Sequence, residues 1–513
     1  MEQQKTEQQK TKPQCSPKTE CRYDPASSAA AEFINDGEIR DTLEYAEAHR
    51  HDQALADAII EKAARHKGLT HREAAVLLVS DVPGVDARIK ALAKEIKEAY
   101  YGRRIVFFAP LYLSNYCVNG CIYCPYHLKN RHIPRRKLTQ DEIRREVVAL
   151  QDMGHKRLAV ELGEDPANNP LDYVLESIDT IYSVKHRNGS IRRVNVNIAA
   201  TTVENYRRLH EAGIGTYILF QETYNMAKYK DLHPSGPKSD YARQTEAMDR
   251  AMDGGIDDVG LGVLFGLELY KYDFVGLLMH AEHLEAAKGV GPHTISVPRI
   301  RSADGIDAAD FENAVPDEIF ERIVALIRIT VPYTGMIMST RESAEMRGKA
   351  LELGVSQLSG ASKTSVGGYD ESASLGGTFG ADACGASPKS PRAMKVEDTA
   401  QFDIDDSRTL DEVVSWLAGK GYIPSFCTAC YREGRTGDRF MSLVKNGQIA
   451  NICQPNALMT FKEYLEDYAS PTTREKGMRL IKSELAKVPS DKVREKAGEY
   501  LRELEDGRRD FRF

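Results

Sequence analysis

The chain has 513 residues, 42% of them apolar, with a formal net charge of −7 and a pI near 6.1. That length allows one large domain with extensions, or up to about three average domains, and the acidic balance argues against a general nucleic-acid binder. No run of 18 apolar residues is present, so no membrane span is expected, and the polar first 30 residues lack the apolar stretch of a secretory signal.

Residues 1–35 are expected to form a disordered tail, because they carry few apolar residues and no periodicity. Residues 36–103 read as a helical extension. Within it "GLTHREAAVLL" places Glu73 three residues after Thr70, the pattern of a capping box. From 104 to 360 short apolar runs near 105–113, 157–162, 192–198, 216–221, 257–265, 293–299, 335–340 and 354–359 alternate with stretches of helical period. Such alternation gives a parallel sheet. Eight units over about 250 residues predict an α/β fold, a (β/α)8 TIM-type barrel, with a doubly wound open sheet as the alternative. The Gly-, Ser- and Ala-rich stretch 361–406 reads as a flexible linker, and 407–513 as a small, mainly helical C-terminal domain.

Nine cysteines, six of them in two groups of three, do not suit a disulfide framework and point to metal binding. Cys117-x3-Cys121-x2-Cys124 follows the first strand, on a loop at the end where TIM barrels place their active sites. Three thiolates hold three irons of a 4Fe–4S cube and leave the fourth iron open to a substrate. A structural zinc site, for which His127 and His132 lie close enough, would instead be closed by four ligands. Tyr123 supplies a flat ring suited to an adenine. Gly163 and Glu164 end the second strand, Asn195 and Asn197 share a face of the third, and Glu222 follows the fourth.

The second group is Cys427, Cys430 and Cys453. It suits an auxiliary iron–sulfur cluster, or a zinc site needing a fourth ligand such as Cys384, since the histidines end at His293. Arg432, Arg435 and Arg439 would compensate a negative cluster or form a solvated face. In "PHTISVPRIR" a period of two puts His293, Ile295, Val297, Arg299 and Arg301 on one strand face, with His293 at the bottom and the arginines near the top. His293 is then a candidate iron ligand, or a turn cap, and Arg299 a candidate cofactor contact. Ser339 and Arg341 end the seventh strand as a candidate carboxylate clamp, unless Arg341 pairs with Glu342 or Glu345.

The first triad, Leu162-Gly163-Glu164 and "GLGVLFGLE" resemble the radical S-adenosylmethionine superfamily, with Leu162 where the superfamily carries glycine. The resemblance implies that S-adenosylmethionine chelates the open iron and yields a 5′-deoxyadenosyl radical. With the second triad, "SNYCVNGCIYC", "RRVNVNIAATTVENY", "FQETY", "GPHTISVPR", "CTACYREGRTGDRF" and "QPNALMTFKEYL" are similar to the HydG family, the tyrosine lyases of iron–iron hydrogenase maturation. That likeness runs from about 33 to 468, apart from 360–402. It implies L-tyrosine as substrate, with cleavage to p-cresol and dehydroglycine. It also implies carbon monoxide and cyanide made at an auxiliary 4Fe–4S cluster whose fifth, labile iron is held by His293 and a cysteine ligand. A reductant such as ferredoxin or flavodoxin and other hydrogenase maturation proteins as partners are implied by the same likeness; a cytoplasmic location is expected from the missing signals and from oxygen-sensitive clusters. The barrel interior would serve as a conduit between the two sites. The nearest alternative is 2-iminoacetate synthase of thiamine biosynthesis, which shares the tyrosine cleavage without the second triad.

Overall fold

Eight parallel strands close on themselves. They are β1 (Arg104–Ser114), β2 (Arg157–Leu162), β3 (Arg193–Asn197), β4 (Tyr217–Ile218), β5 (Val259–Gly262), β6 (Thr294–Ser296), β7 (Gly335–Met338) and β8 (Gln357–Ser359). Each pairs with the next, and β8 returns to β1 through Val106↔Gln357, Phe107↔Leu358 and Phe108↔Ser359. This is a TIM-type barrel, with strands in the eight expected places. The computed structural model describes residues 22–370 and 395–513; Cys15, Cys21, Cys384 and the centre of the Gly-rich stretch lie outside these.

Helices such as Gln140–Asp152, Leu171–Ser183, Tyr270–Lys288 and Asp317–Thr330 wrap the ring. Thr139 and Glu142 close a capping box on the first of them, as Thr70 and Glu73 do on helix His71–Val79. Helix Val85–Tyr101 buries Ile89, Leu92, Ala93, Ile96 and Tyr100, a stripe of helical period. Its Lys90 binds Glu321 of the barrel helix at 2.7 Å.

Two expected boundaries change. Residues 22–35, read as part of the tail, carry helix Ala30–Phe33, whose Phe33 is fully buried and stacks on His283 at 3.7 Å. One large apolar ring among alanines is enough to anchor a segment of low average hydrophobicity. The described ends of the supposed linker are also packed: Val366, Tyr369 and Thr399 are buried, and the Tyr369 hydroxyl donates to Pro110 O at 2.8 Å. The C-terminal region joins the barrel rather than standing apart from it. Its strand β9 (Ile423–Ser425) pairs in parallel with the start of β1, and helix Ile449–Asp467 lies beside it. Among the described residues no helix is long and apolar enough to cross a membrane.

The barrel interior is partly hollow. Phe108, Ala159, Asn197, Ile218 and Ile337 line an inner cavity of about 100 Å³, where an ordinary TIM barrel is filled by side chains. A Cβ at Gly262 would meet the Phe220 ring at 2.4 Å, so this glycine lets a neighbouring aromatic turn inward without filling the space twice.

Candidate active site

The loop after β1 carries the first triad over a cavity of about 170 Å³. Cys117, Cys121 and Cys124 line it together with Tyr123, Gly163, Glu164, Asn197 and Glu222. Burial pushes the Cys121 and Cys124 thiols up to about 11 and about 12, so binding of a cationic centre must displace their protons. A Cβ at Gly163 would come within 2.4 Å of Tyr116 O and 2.9 Å of Cys117 Cβ; only glycine lets β2 pass so close beneath the cysteine loop. Among the described residues no three His, Cys, Asp or Glu side chains are placed to hold a single ion. A cube seats each thiolate on its own iron and requires no such convergence.

The polar groups around the loop are mutually braced. Glu164 accepts from Asn119 Nδ2 at 2.7 Å and Arg243 Nη2 at 2.8 Å. The Asn119 Oδ1 atom in turn accepts from the Lys238 amide, and Lys238 Nζ binds Glu222 at 2.8 Å. Glu222 sits at φ 69°, a left-handed conformation that costs a non-glycine residue of order 1 kcal/mol or more and clusters at functional sites. Tyr123 is oriented by its hydroxyl against His233 Nε2 at 2.7 Å, while His233 Nδ1 bonds Tyr229 O at 2.7 Å. Burial pulls His233 down to about 3, so it is neutral, with Nδ1 carrying the proton and Nε2 accepting from Tyr123.

Arg341 lines both the upper and the inner cavities, with its guanidinium 3.6 Å from the centroid of the Phe402 ring. Burial lowers its pKa, and its Nε has no hydrogen-bond partner among the described residues. The alternative pairing is absent, because Glu342 instead binds Arg299 and Arg301. Ser339 lines the inner cavity, where its hydroxyl accepts from the Arg341 amide at 3.3 Å.

Two expected contacts do not reach the upper cavity. Arg299 is spent on Glu342, Asp317 and Val315 O and packs over Phe320, which makes it a clamp between loops; Arg301 is the arginine that faces the cavity. The face predicted for 293–301 does not persist to Arg299, because β6 spans only Thr294–Ser296; Ser296 lines the inner cavity alongside Val297. Asn195 accepts from Arg193 Nε at 2.7 Å and the Thr216 amide at 3.1 Å, deep in the barrel and away from the triad.

The opposite end of the barrel holds the second triad in a cavity lined by Cys427, Cys430, Cys453, His293 and four arginines: Arg104, Arg157, Arg193 and Arg435. Arg157 Nη2 donates to Cys427 O at 2.8 Å, but Arg157 Nε and Arg435 Nε are buried without partners. The free Cys453 thiol donates a hydrogen bond to the Cys430 sulfur, which with Arg435 and Arg193 nearby holds Cys430 toward the thiolate. Cationic walls with spare donors fit an anionic cluster on three thiolates. Of the three arginines read from the loop, only Arg435 takes part: Arg432 pairs with Asp510, and Arg439 reaches Gly434 O. The others come from the first residues of β1, β2 and β3, a signal present in the sequence as a charged residue opening each strand. Burial pulls His293 down to about 4, leaving the neutral imidazole that ligates metals, and its Nδ1 lies 3.2 Å from Asp258 Oδ1. The two are close but not hydrogen-bonded, and the Asp258 oxygens accept instead from the Tyr431 hydroxyl and the Gly437 amide.

Comparison with known proteins agrees with this arrangement. Residues 111–278 match the model of the radical SAM superfamily, and 296–423 that of the biotin and thiamin synthesis associated domain. A crystal structure of HydG, a maturase of the [FeFe]-hydrogenase, superposes with a TM-score of 0.87 at 52% identity, covering 94% of this chain and 100% of that one. The HydG maturase from Carboxydothermus hydrogenoformans superposes at 0.75 with 36% identity over 93% of this chain and 100% of that one. The 2-iminoacetate synthase of Escherichia coli is 30% identical over 314 residues, 61% of this chain and 81% of that protein.

Proposed function

The chain belongs to the HydG family of radical S-adenosylmethionine enzymes, and we propose that it acts there as a tyrosine lyase of hydrogenase maturation. It cleaves the Cα–Cβ bond of L-tyrosine to p-cresol and dehydroglycine. Dehydroglycine then becomes carbon monoxide and cyanide in an Fe(CO)(CN) precursor of the hydrogenase active site. The observation that carries this reading is the pair of cysteine triads at opposite ends of one barrel with a hollow interior between them.

When bound by Cys117, Cys121 and Cys124, a 4Fe–4S cluster supplies the electron that splits S-adenosylmethionine and so starts the radical chemistry. The chain's own residues do the rest of the positioning. Gly163 and Glu164 receive the amino group of S-adenosylmethionine, Tyr123 flanks its adenine, and Asn197 and Glu222 take further polar contacts. Arg341, its amide fixed by Ser339, holds the tyrosine carboxylate in a bidentate grip. At the lower end Cys427, Cys430 and Cys453 would hold an auxiliary 4Fe–4S cluster, and His293 the fifth iron with its cysteine ligand. Ferredoxin or flavodoxin as reductant, other maturation proteins as recipients, and a cytoplasmic setting belong to the same reading.

The test is anaerobic turnover of the reconstituted protein with tyrosine, S-adenosylmethionine and a strong reductant. p-Cresol, carbon monoxide and cyanide are the expected products. p-Cresol with no carbon monoxide would favour the 2-iminoacetate synthase type of reaction, to which the chain is also similar.

A further inference from the structure

One carboxyl group in the barrel is left over after these assignments. Glu161 lies on β2, two residues before Gly163, and lines both the upper and the inner cavities. Its Oε2 accepts from Asn197 Nδ2 at 2.8 Å. Its Oε1 has no hydrogen-bond partner, and it makes no ion pair, among the described residues. Glu161 is only partly buried, at the cavity wall, so this second oxygen is open to a ligand. Burial pushes this group up to about 8, against the opposing pull of Arg341 and the Asn197 hydrogen bond.

The setting narrows what that partner is. Arg341 leaves the far end of β7 and Glu161 the end of β2, three strands apart around an eight-stranded ring, so the two groups approach the cavity from different walls. The same cavity is lined by apolar and aromatic side chains such as Phe108, Ile218, Phe220, Ile337 and Phe402, interspersed with small polar ones such as Ser296, Ser359 and Thr364. A cavity with a guanidinium at one wall, a hydrogen-bonding carboxyl group at another and aromatic rings in its lining matches an aromatic molecule carrying a carboxylate at one end and a hydroxyl at the other. From this geometry we infer that Glu161 binds the phenolic hydroxyl of the substrate, and that it is the residue which selects tyrosine over phenylalanine. The inference rests on the tyrosine lyase reading and adds to it the group that reads the ring's hydroxyl. A site built to bond a hydroxyl rejects the analogue lacking it, because the buried polar group is then stranded.

The experiment measures binding of tyrosine and of phenylalanine by calorimetry to the reconstituted protein with S-adenosylmethionine, in the wild type, Glu161→Gln and Glu161→Leu. Wild type is expected to bind tyrosine at least about tenfold more tightly than phenylalanine, the worth of one hydrogen bond to a charged or strongly polar group. Glu161→Leu should weaken tyrosine about 10- to 100-fold, leave phenylalanine unchanged or tighter, and so erase the preference. Glu161→Gln keeps a hydrogen-bonding end and should retain part of the preference, which answers the case where the leucine variant fails to fold. Tyrosine affinity within twofold of wild type in folded Glu161→Leu, or a tyrosine–phenylalanine ratio in Glu161→Gln no smaller than in wild type, would overturn the assignment. So would a loss confined to S-adenosylmethionine binding, which would make Glu161 a cofactor contact. Absence of p-cresol from wild type would count against the lyase reading instead, and the tyrosine–phenylalanine comparison would still decide the role of Glu161.

Discussion

Replacing Arg341 by leucine separates a substrate-binding arginine from a structural one. The guanidinium is enclosed and stacked on Phe402, has an unpaired Nε, and forms no ion pair among the described residues. Breaking a buried ion pair costs about 3–5 kcal/mol because a charge is stranded, but here there is no partner to strand. Arg341→Leu should therefore leave the melting temperature within a few degrees of wild type, or raise it. Catalysis should respond in the opposite way. A bidentate carboxylate grip comprises two charge-assisted hydrogen bonds at about 1.5–3 kcal/mol each, so its loss removes about 3–6 kcal/mol. At about 1.4 kcal/mol per decade that is a fall of roughly 10²- to 10⁴-fold in kcat/KM for tyrosine. The assay is p-cresol release against tyrosine concentration, alongside a thermal melt. A melting temperature lowered by many degrees with kcat/KM changed less than tenfold would refute the reasoning and make Arg341 a structural residue.

Serine at Cys427, Cys430 and Cys453 together should abolish carbon monoxide while p-cresol formation persists, as gas and phenol analysis of one reaction mixture would show. Asp406→Ala strands the fully buried Arg347 and should cost about 3–5 kcal/mol in chemical denaturation, and it should also raise KM for tyrosine, because the stretch bearing Gln401 and Phe402 loses its anchor. His71 donates to Glu282 at 2.7 Å and Glu38 at 2.9 Å; burial alone would lower its pKa, but the two carboxylates outweigh burial and raise it. A pKa raised on folding adds stability that is complete below the unfolded value near 6.5 and fades as pH rises through the folded value. The stability gap between wild type and His71→Gln should thus be wider at pH 6 than at pH 9, and an equal gap at both would show that the histidine is not held charged.

Both triads could be read from the chain because ligand spacing is local: a few residues on a loop fix which thiols meet. The eight strands were legible for a similar reason, since alternation of short apolar runs with helical stretches survives even where β4 keeps only Tyr217–Ile218. Reading faces was harder. Period two needs a strand, and β6 ends at Ser296, so carrying the pattern on to Arg299 and Arg301 chose the wrong arginine for the cavity. Asn195 shares its face with Asn197 as expected, but depth along a barrel strand is set by register with neighbours, which one strand does not reveal. Composition misled most at 361–406, where small residues suggested slack although Tyr369 and Phe402 are packed against the barrel. Arg104, Arg157 and Arg193 were passed over because a charge at a strand start reads as a surface residue unless the barrel's floor is known to be covered.

The floor is covered by the chain that follows β9, and β9 is bonded to the same strand whose far end carries the first triad. β1 is thus a ruler: eleven extended residues at about 3.3 Å each, roughly 36 Å from the arginine facing one cysteine group to the turn leading into the other. A loop of that length would breathe, whereas a strand bonded on both sides does not. The spacing between the two groups is then a constant of the molecule. Inside the ring between them stand side chains such as Ile218, Ile337 and Gln357, where a substitution would reshape the interior without moving either end.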